Sequence, residues 1–443
     1  MYKKKYVSRM EKKQFTPNQR SQFRPNNRRQ QFQPIHIDEK ALPIEFMANK
    51  DVFEKLRPKL EEAATRIRKA ISQSQRITIK HHNDTDGFCA GLALDRAIVP
   101  LIEKSNEKRQ AAWEKFKRMP SMTPFYNLED ATKDIAQMLL LQSRFKESQP
   151  LMIFTDLGSG VENRLPFKQL KALGCEIIVI DHHAVDPEVD ALVDIHINPH
   201  LVGSEQEYSA GILCAELSRM INKHIQQPYL VAAISSTKGG DRVPGEFANE
   251  YYALAQKDGY ERDFLENIAR CMDFTVSNLR NLDGKDYFDL LMGFTDRDVQ
   301  KNLVSTLTTE LDERIEKVLI QAKALVSQES LSAVDVLYFP VDEITQRDFY
   351  PRLGAMVGVV HEEYMKTAQK PLVTLGTTNN SVTFRADENS SFNFPELLLL
   401  VQQKVPLAFA DGGGHACAGT YRCSEKYFDE VLQVVKDYLA QLS

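Results

Sequence analysis

From residue 51 to 75 the apolar positions Val52, Leu56, Leu60, Ala63, Ile67 and Ile71 recur every three or four residues, the stripe of an amphipathic helix. A β-branched run at 76–80 follows, and the apolar residues of 87–102 return to the helical period. The polar cluster 81–86 therefore falls where a strand ends and a helix begins. The succession repeats with an apolar strand at 151–154, a polar turn, a helix at 163–173, a strand at 176–180 and a second polar turn. Strands apolar on both sides and alternating with helices predict a parallel sheet covered on both faces. Such sheets place their sites at the carboxyl ends of the strands. The stretch 103–147 reads as a charged helical insertion. Apolar helices are predicted at 209–220 and 229–235, with Asn198-Pro199-His200 in a turn ahead of them. The stretch 246–326 is helical almost throughout, with no evident chemistry. Strand-like runs return at 333–339, 371–377 and 381–386, and a glycine-rich turn is expected at 412–414.

The predicted fold class is α/β. A parallel-sheet catalytic domain spans 46–245, a helical connector 246–330 and a smaller α/β domain 331–443, with a cleft between the two sheets. At 443 residues the chain exceeds one ordinary core at about 150 residues per domain. No apolar run reaches the roughly 20 residues that cross a bilayer, and the start of the chain lacks the order of a secretory signal. No membrane association and a cytoplasmic location are expected. The six cysteines form no C-x-x-C pair, so neither a disulfide framework nor a zinc knuckle is indicated. Charge changes the picture at one place. Residues 1–37 hold ten Lys/Arg against Glu11 alone, while the whole chain is at −5. A basic, Gln/Asn/Pro-rich tail over 1–45 is expected to be disordered. It would attract phosphates without regard to sequence, with Phe15, Phe23 and Phe32 available to stack on bases.

The chemistry lies at three strand ends. The first delivers His81, His82, Asp84 and Asp86, the second Asp156, the third Asp181, His182 and His183. Several carboxylates within a few ångströms raise one another's pKa, so they stay ionised only where cations bind. Mixed imidazole and carboxylate donors suit Mn²⁺, with Mg²⁺, Zn²⁺ or Fe²⁺ as alternatives. Roughly six ligands exceed the needs of one catalytic ion, and a carboxylate such as Asp156 can bridge a pair about 3.5 to 4 Å apart. Taken singly, Asp84-Thr85-Asp86 would be a helix cap, Asp156 a turn and His182-His183 a surface pair. Their common placement at strand ends of one sheet makes them a site.

In order along the chain, His82-Asn83-Asp84-Thr85-Asp86-Gly87, Asp156-Leu157-Gly158, Asp181-His182-His183 and Gly412-Gly413-Gly414-His415 resemble the motifs of DHH phosphoesterases with the DHH-associated C-terminal domain. The resemblance covers about 76–242 and 331–443 and is greatest to RecJ-type exonucleases of the archaeal RecJ-like group. It implies a two-metal, Mn²⁺-dependent phosphodiesterase acting on single-stranded DNA or RNA, with a role in DNA repair. It also implies roles for residues. Asp84 and Asp86 would each hold one metal, Asp156 would bridge them, and His182 and Asp241 would complete the set. His183 would sit at the scissile phosphate and Asp181 would orient the pair. Relatives place the first histidine four residues before the first Asp, where this chain has Lys80, so His81 and His82 both remain as the imidazole ligand. Gly412, Gly413 and Gly414 would offer backbone N–H groups to the substrate as a nest, with His415 and Arg385 beside them.

Two other classes share these residues. One is a small-substrate enzyme of the superfamily, a nanoRNase/pAp phosphatase or a cyclic-dinucleotide phosphodiesterase. The other is a non-catalytic replication scaffold. A replication or repair protein is the expected partner beside single-stranded nucleic acid.

Overall fold

The computed structural model describes residues 35–442 apart from 49, 106–110, 122, 124, 205–207, 241, 242, 244, 280–282 and 346–349. Most of the basic tail, and Asp241 with it, lie outside the described residues. The part of the tail that is described does not match the expected disorder. Ile37 is buried against the first core, and the amides of Ile35 and Leu42 bond to the carbonyls of Lys104 and Met220.

The first half opens with α1 (Lys50–Ser72), whose Leu56, Leu60, Ala63, Ile67 and Ile71 form one buried stripe. There follow β1 (Ile77–His81), α2 (Thr85–Ser105), α3 (Ala111–Lys115), β2 (Phe116–Pro120), α4 (Leu128–Phe145), β3 (Leu151–Thr155), α5 (Arg164–Ala172), β4 (Glu176–Ile180), α6 (Pro187–Asp190) and β5 (Ile195–Ile197). The five strands form a parallel sheet in the order β2-β1-β3-β4-β5. Side chains alternate strictly along the central strands. Ile153, Ile178 and Ile180 enter a core shared with α1 and α2, whereas Met152, Phe154, Ile177 and Val179 pack beneath α4 and α5. Two strands were not expected. β2 lies inside the predicted helical insertion and β5 runs for three residues.

Helices α7 (Ala210–Ile221), α8 (Pro228–Ser235), α9 (Gly245–Lys257), α10 (Arg262–Leu279), α11 (Lys285–Leu291) and α12 (Arg297–Leu325) come next. Tyr251, Leu265, Ile268, Ala269 and Met272 of α9 and α10 belong to the same core as α2 and α7. Helix α12 carries the chain across. Its Val304 and Leu311 are buried in the first core and its Ala322 in a cluster of the second half, 18 residues or about 27 Å beyond Val304.

The second half contains β6 (Ser327–Ser330), β7 (Asp335–Pro340), α13 (Leu353–Met365), β8 (Leu372–Thr377), β9 (Ser381–Ala386), α14 (Phe394–Lys404), β10 (Asp411–His415), β11 (Ala418–Arg422) and α15 (Phe428–Leu439). The sheet is mixed, ordered β10-β11-β9-β8-β7-β6. The expected glycine-rich turn is an edge strand, β10, paired antiparallel with β11. The glycines are required by close approach. A Cβ on Gly412 would lie 2.3 Å from the carbonyl oxygen of Thr420, and one on Gly414 2.2 Å from that of Ala418. Among the described residues no helix is long and apolar enough to cross a membrane.

Candidate metal centre in the interdomain cleft

Strands β1, β3 and β4 end side by side, with His81, Thr155 and Ile180 in register, so the residues that follow share one edge of the sheet. After β1 the chain turns at once into α2. Asp84 Oδ1 accepts the Gly87 amide at 2.9 Å, and a Cβ on Gly87 would lie 2.3 Å from the His82 carbonyl oxygen. The acid therefore caps a helix and is also aimed inward, with Oδ2 2.8 Å from His82 Nδ1. Asp86 caps another helix. Its two oxygens accept the amides of Ala210 and Gly211 at the start of α7, both at 2.7 Å.

Asp156 follows β3, fully buried, with φ +58. Aspartate tolerates this left-handed backbone better than most residues, and the turn brings its carboxylate between two imidazoles. Oδ1 lies 3.1 Å from His182 Nε2 and Oδ2 3.4 Å from His82 Nδ1. After β4, buried Asp181 accepts the amides of His182 at 2.8 Å and Ser159 at 3.0 Å, and meets His183 Nδ1 at 2.7 Å. His182 Nε2 also lies 3.8 Å from Asp86 Oδ2. Burial opposes charge on these groups, yet their neighbours outweigh it. The Asp84 and Asp156 carboxylates hold the His82 imidazole well above its ordinary pKa, and Asp181 raises that of His183. In turn His183, and then His182, hold Asp181 far below the usual carboxylate range against its burial.

Donor atoms of His82, Asp84 and Asp156 lie within 4.8 Å of one another, as do those of Asp156, Asp181, His182 and His183. The two groups share Asp156, one oxygen facing each, and their carboxylate and imidazole donors fit divalent cations. His81 is not among them. Its Nδ1 donates to the His82 carbonyl at 2.7 Å, and Nε2 accepts from Arg118 at 3.0 Å. Burial, then the Arg118 charge, keeps its pKa well below the ordinary value. Of the two histidines left open by the sequence, only His82 faces the carboxylates. Asp86 stands at the margin, engaged by α7.

The second sheet closes the far side. The His415 ring, at the end of β10, stacks on His183 with centroids 4.6 Å apart and lies 5.5 Å from the His182 ring. A Cβ on Gly413 would lie 3.9 Å from Glu162 Oε1 and Phe125, so the strand faces the first half across the cleft. Because β10 is a strand, the expected nest does not form. Arg385, on β9, bonds the Phe384 carbonyl at 2.9 Å. Sequence reasoning missed three groups. Arg352 crosses from the start of α13 to the Asn83 carbonyl oxygen at 3.1 Å. Asp273 of α10 faces Asp84 and Arg352, with its pKa raised by burial against the pull of Arg352. Glu162 is likewise raised by burial, with the Asp411 charge adding to it. The only sequence signal was a polar residue interrupting an apolar context, which is too common to single out.

A parallel sheet with acids and imidazoles at its carboxyl edge, faced by a second sheet bearing a glycine-rich strand, defines a DHH-type two-domain protein. The chain belongs to the DHH-domain family. A solved structure described as the DHH domain of a member of the S1p family of ribosomal proteins is 32% identical, with TM-score 0.86, over 91% of this chain and 95% of that one. An uncharacterized protein of Methanocaldococcus jannaschii, MJ1198, is 35% identical over 89% of the chain. The chain spans 56% of that relative's length. The structure of exonuclease RecJ bound to manganese has the same fold, with TM-score 0.54 and 18% identity over 87% of this chain and 95% of that one. No protein-family profile matches the chain.

Proposed function

We propose that the chain is a RecJ-like, divalent-cation-dependent phosphodiesterase that shortens single-stranded nucleic acid. The observation that carries this reading is Asp156, whose two oxygens each face one of two overlapping donor groups. His82 and Asp84 would hold one cation and His182 the other, with Asp86 as a further acid on that side; Asp241, outside the described residues, is the acid that the family resemblance adds. Mn²⁺ is the preferred ion, as in the RecJ structure, and Mg²⁺ the alternative. Bound cations supply Lewis acidity and a water acidic enough to attack phosphorus at neutral pH.

The chain's own groups do the rest. Asp181 fixes His183 through Nδ1, leaving Nε2 as the ring atom available to a phosphate oxygen, and the raised pKa of this imidazole suits it to stabilise developing negative charge. His415 stacks on that ring and limits its rotation. The outer edge of β10 offers backbone amides along the cleft, the means by which a protein holds a sugar-phosphate chain without reading bases.

The test is metal content together with digestion of an end-labelled single strand by the parent and Asp84→Ala. The variant should lose more than about two orders of magnitude in rate. Activity confined to a dinucleotide would instead assign a small-substrate phosphodiesterase. Stoichiometric Mn²⁺ binding without hydrolysis of either substrate would assign a scaffold.

A further inference from the structure

The turn after β5 is unexplained by the site as described, yet its side chains reach both histidines. Asn198 is fully buried, and its Nδ2 donates to the His183 carbonyl at 2.9 Å and to Ser159 Oγ at 3.0 Å. Its Oδ1 accepts the His200 amide at 3.0 Å. The exposed His200 turns back, and its Nε2 donates to the His182 carbonyl at 3.1 Å. Consecutive carbonyls of the two site histidines are therefore each held by one side chain of a single short turn.

Ser159 ties a third loop into the same unit. Its amide donates to Asp181 Oδ2, and its hydroxyl lies 3.0 Å from His196 Nε2, whose Nδ1 meets Asp190 Oδ1 at 2.8 Å. Serine, histidine and aspartate thus stand in the order of a nucleophilic triad. That role is excluded, because Ser159 is fully buried and its hydroxyl is engaged by Asn198 and His196.

We infer that Asn198 and His200 are positioning residues, which set the peptide planes of His182 and His183 and so aim both imidazoles at the shared Asp156 and at the substrate phosphate. The physical case is one of degrees of freedom. Asp181 fixes the His183 ring through Nδ1 and Asp156 meets the His182 ring at Nε2. Asp181 Oδ1 also accepts the His182 and His183 amides at 2.8 and 3.3 Å, which holds the N–H side of the backbone from which the rings project and leaves its carbonyl side to the turn. The two carbonyl clamps complete the restraint from the opposite side of those peptides, and Ser159 couples the clamps to the loop that carries Asp156. Groups of this kind, acting through a ligand, govern metal affinity and rate without touching either metal or substrate.

This inference rests on the proposed phosphodiesterase, and the experiment separates the two. Asn198→Ala, Asn198→Asp, His200→Ala, His200→Gln and Asp84→Ala are compared in single-strand digestion, with Mn²⁺ binding followed by electron paramagnetic resonance. Asn198→Ala and Asn198→Asp, which lose the donor to His183, should each lower kcat by about 10- to 100-fold with KM within about threefold, and weaken Mn²⁺ binding. His200→Ala should lose about tenfold, whereas His200→Gln, which keeps an N–H donor, should recover most of the rate. If Asn198→Ala does not fold, the exposed His200 pair decides alone. Parental rates and parental Mn²⁺ binding in both His200 variants, or equal loss in both, would overturn the clamp while an inactive Asp84→Ala leaves the phosphodiesterase standing. An active Asp84→Ala would remove the phosphodiesterase itself.

Discussion

The two sheets meet the cleft in different ways. In the first every strand runs in one direction, so the segments after β1, β3, β4 and β5 leave from one edge and Asp84, Asp156, Asp181 and Asn198 gather there. In the second, β8, β9, β11 and β10 alternate in direction, so strand ends are divided between two edges. It faces the cleft with the flank of β10 instead. A parallel sheet concentrates side chains, whereas an edge strand offers backbone. Chemistry should therefore fail when a side chain is removed from the first sheet, and substrate holding should fail when the flank of the second is deformed.

The strongest way to break this division is Asp156→Asn. Asparagine tolerates the left-handed backbone at φ +58, so the fold is kept while the charge that both donor groups share is removed. We expect kcat to fall by at least about 10²- to 10³-fold, a weaker Mn²⁺ isotherm and a circular dichroism spectrum like the parent's. A rate within tenfold of the parent would show that the carboxyl edge of the first sheet is not where hydrolysis occurs.

The reciprocal change is Gly412→Ala. Its methyl group would meet the Thr420 carbonyl oxygen and the Tyr421 backbone, so β10 must shift from β11. We expect KM for a long single strand to rise about tenfold, on the order of 1.4 kcal/mol of lost binding, with kcat little changed. Fluorescence anisotropy with a labelled strand measures it. If kcat falls instead while binding holds, β10 serves the chemistry through His415 and the division of labour is not along the two sheets.

How much of this was legible follows from the same contrast. Strands β3 and β4 were readable because burial on both faces makes them apolar runs, and β1 because Ile77, Thr78 and Ile79 are β-branched, and the predicted spans differ from the observed ones by a residue at most. Strand β2 was hidden by Lys117 and Arg118. The Arg118 charge is buried rather than solvated, held by Asp95 and His81, and no local pattern distinguishes the two cases. Strand β10 was read as a turn because three glycines carry no strand preference, and only its pairing with β11 makes it one. Within the site, acids and imidazoles announced themselves by type. Arg352 and Asp273 did not, because their role exists only once α13 and α10 are brought beside the first motif. His81 and His82 could not be separated from sequence, since adjacent residues of a strand end point to opposite sides.

The smallest expected effect concerns acid stability, and its sign should differ between the two halves. In the second, His361 of α13 pairs through Nδ1 with Thr374 Oγ1 of β8 at 2.9 Å. Burial and then the Arg385 charge on β9 lower its pKa to about 4, with Asp387 and Glu362 pulling the other way. The unfolded chain, with histidine near 6.5, therefore binds this proton more readily than the folded one. Stability from the neutral ring is complete above about pH 6.5 and drains away as pH falls towards 4. In the first half, His82 and His183 have raised values, so in chelator-treated protein their contribution is complete below about 6.5 and is lost as pH rises through the folded pKa. Melting curves of the parent and His361→Asn, both free of metal, at about pH 7.5 and about pH 5 separate the two terms. Asparagine keeps a polar atom near Thr374 and cannot titrate. On acidification the parent should lose a few degrees more than the variant, a shift consistent with a difference of order 1 kcal/mol in a chain of this size. Equal losses would mean that neither burial nor the Arg385 charge holds the His361 pKa down.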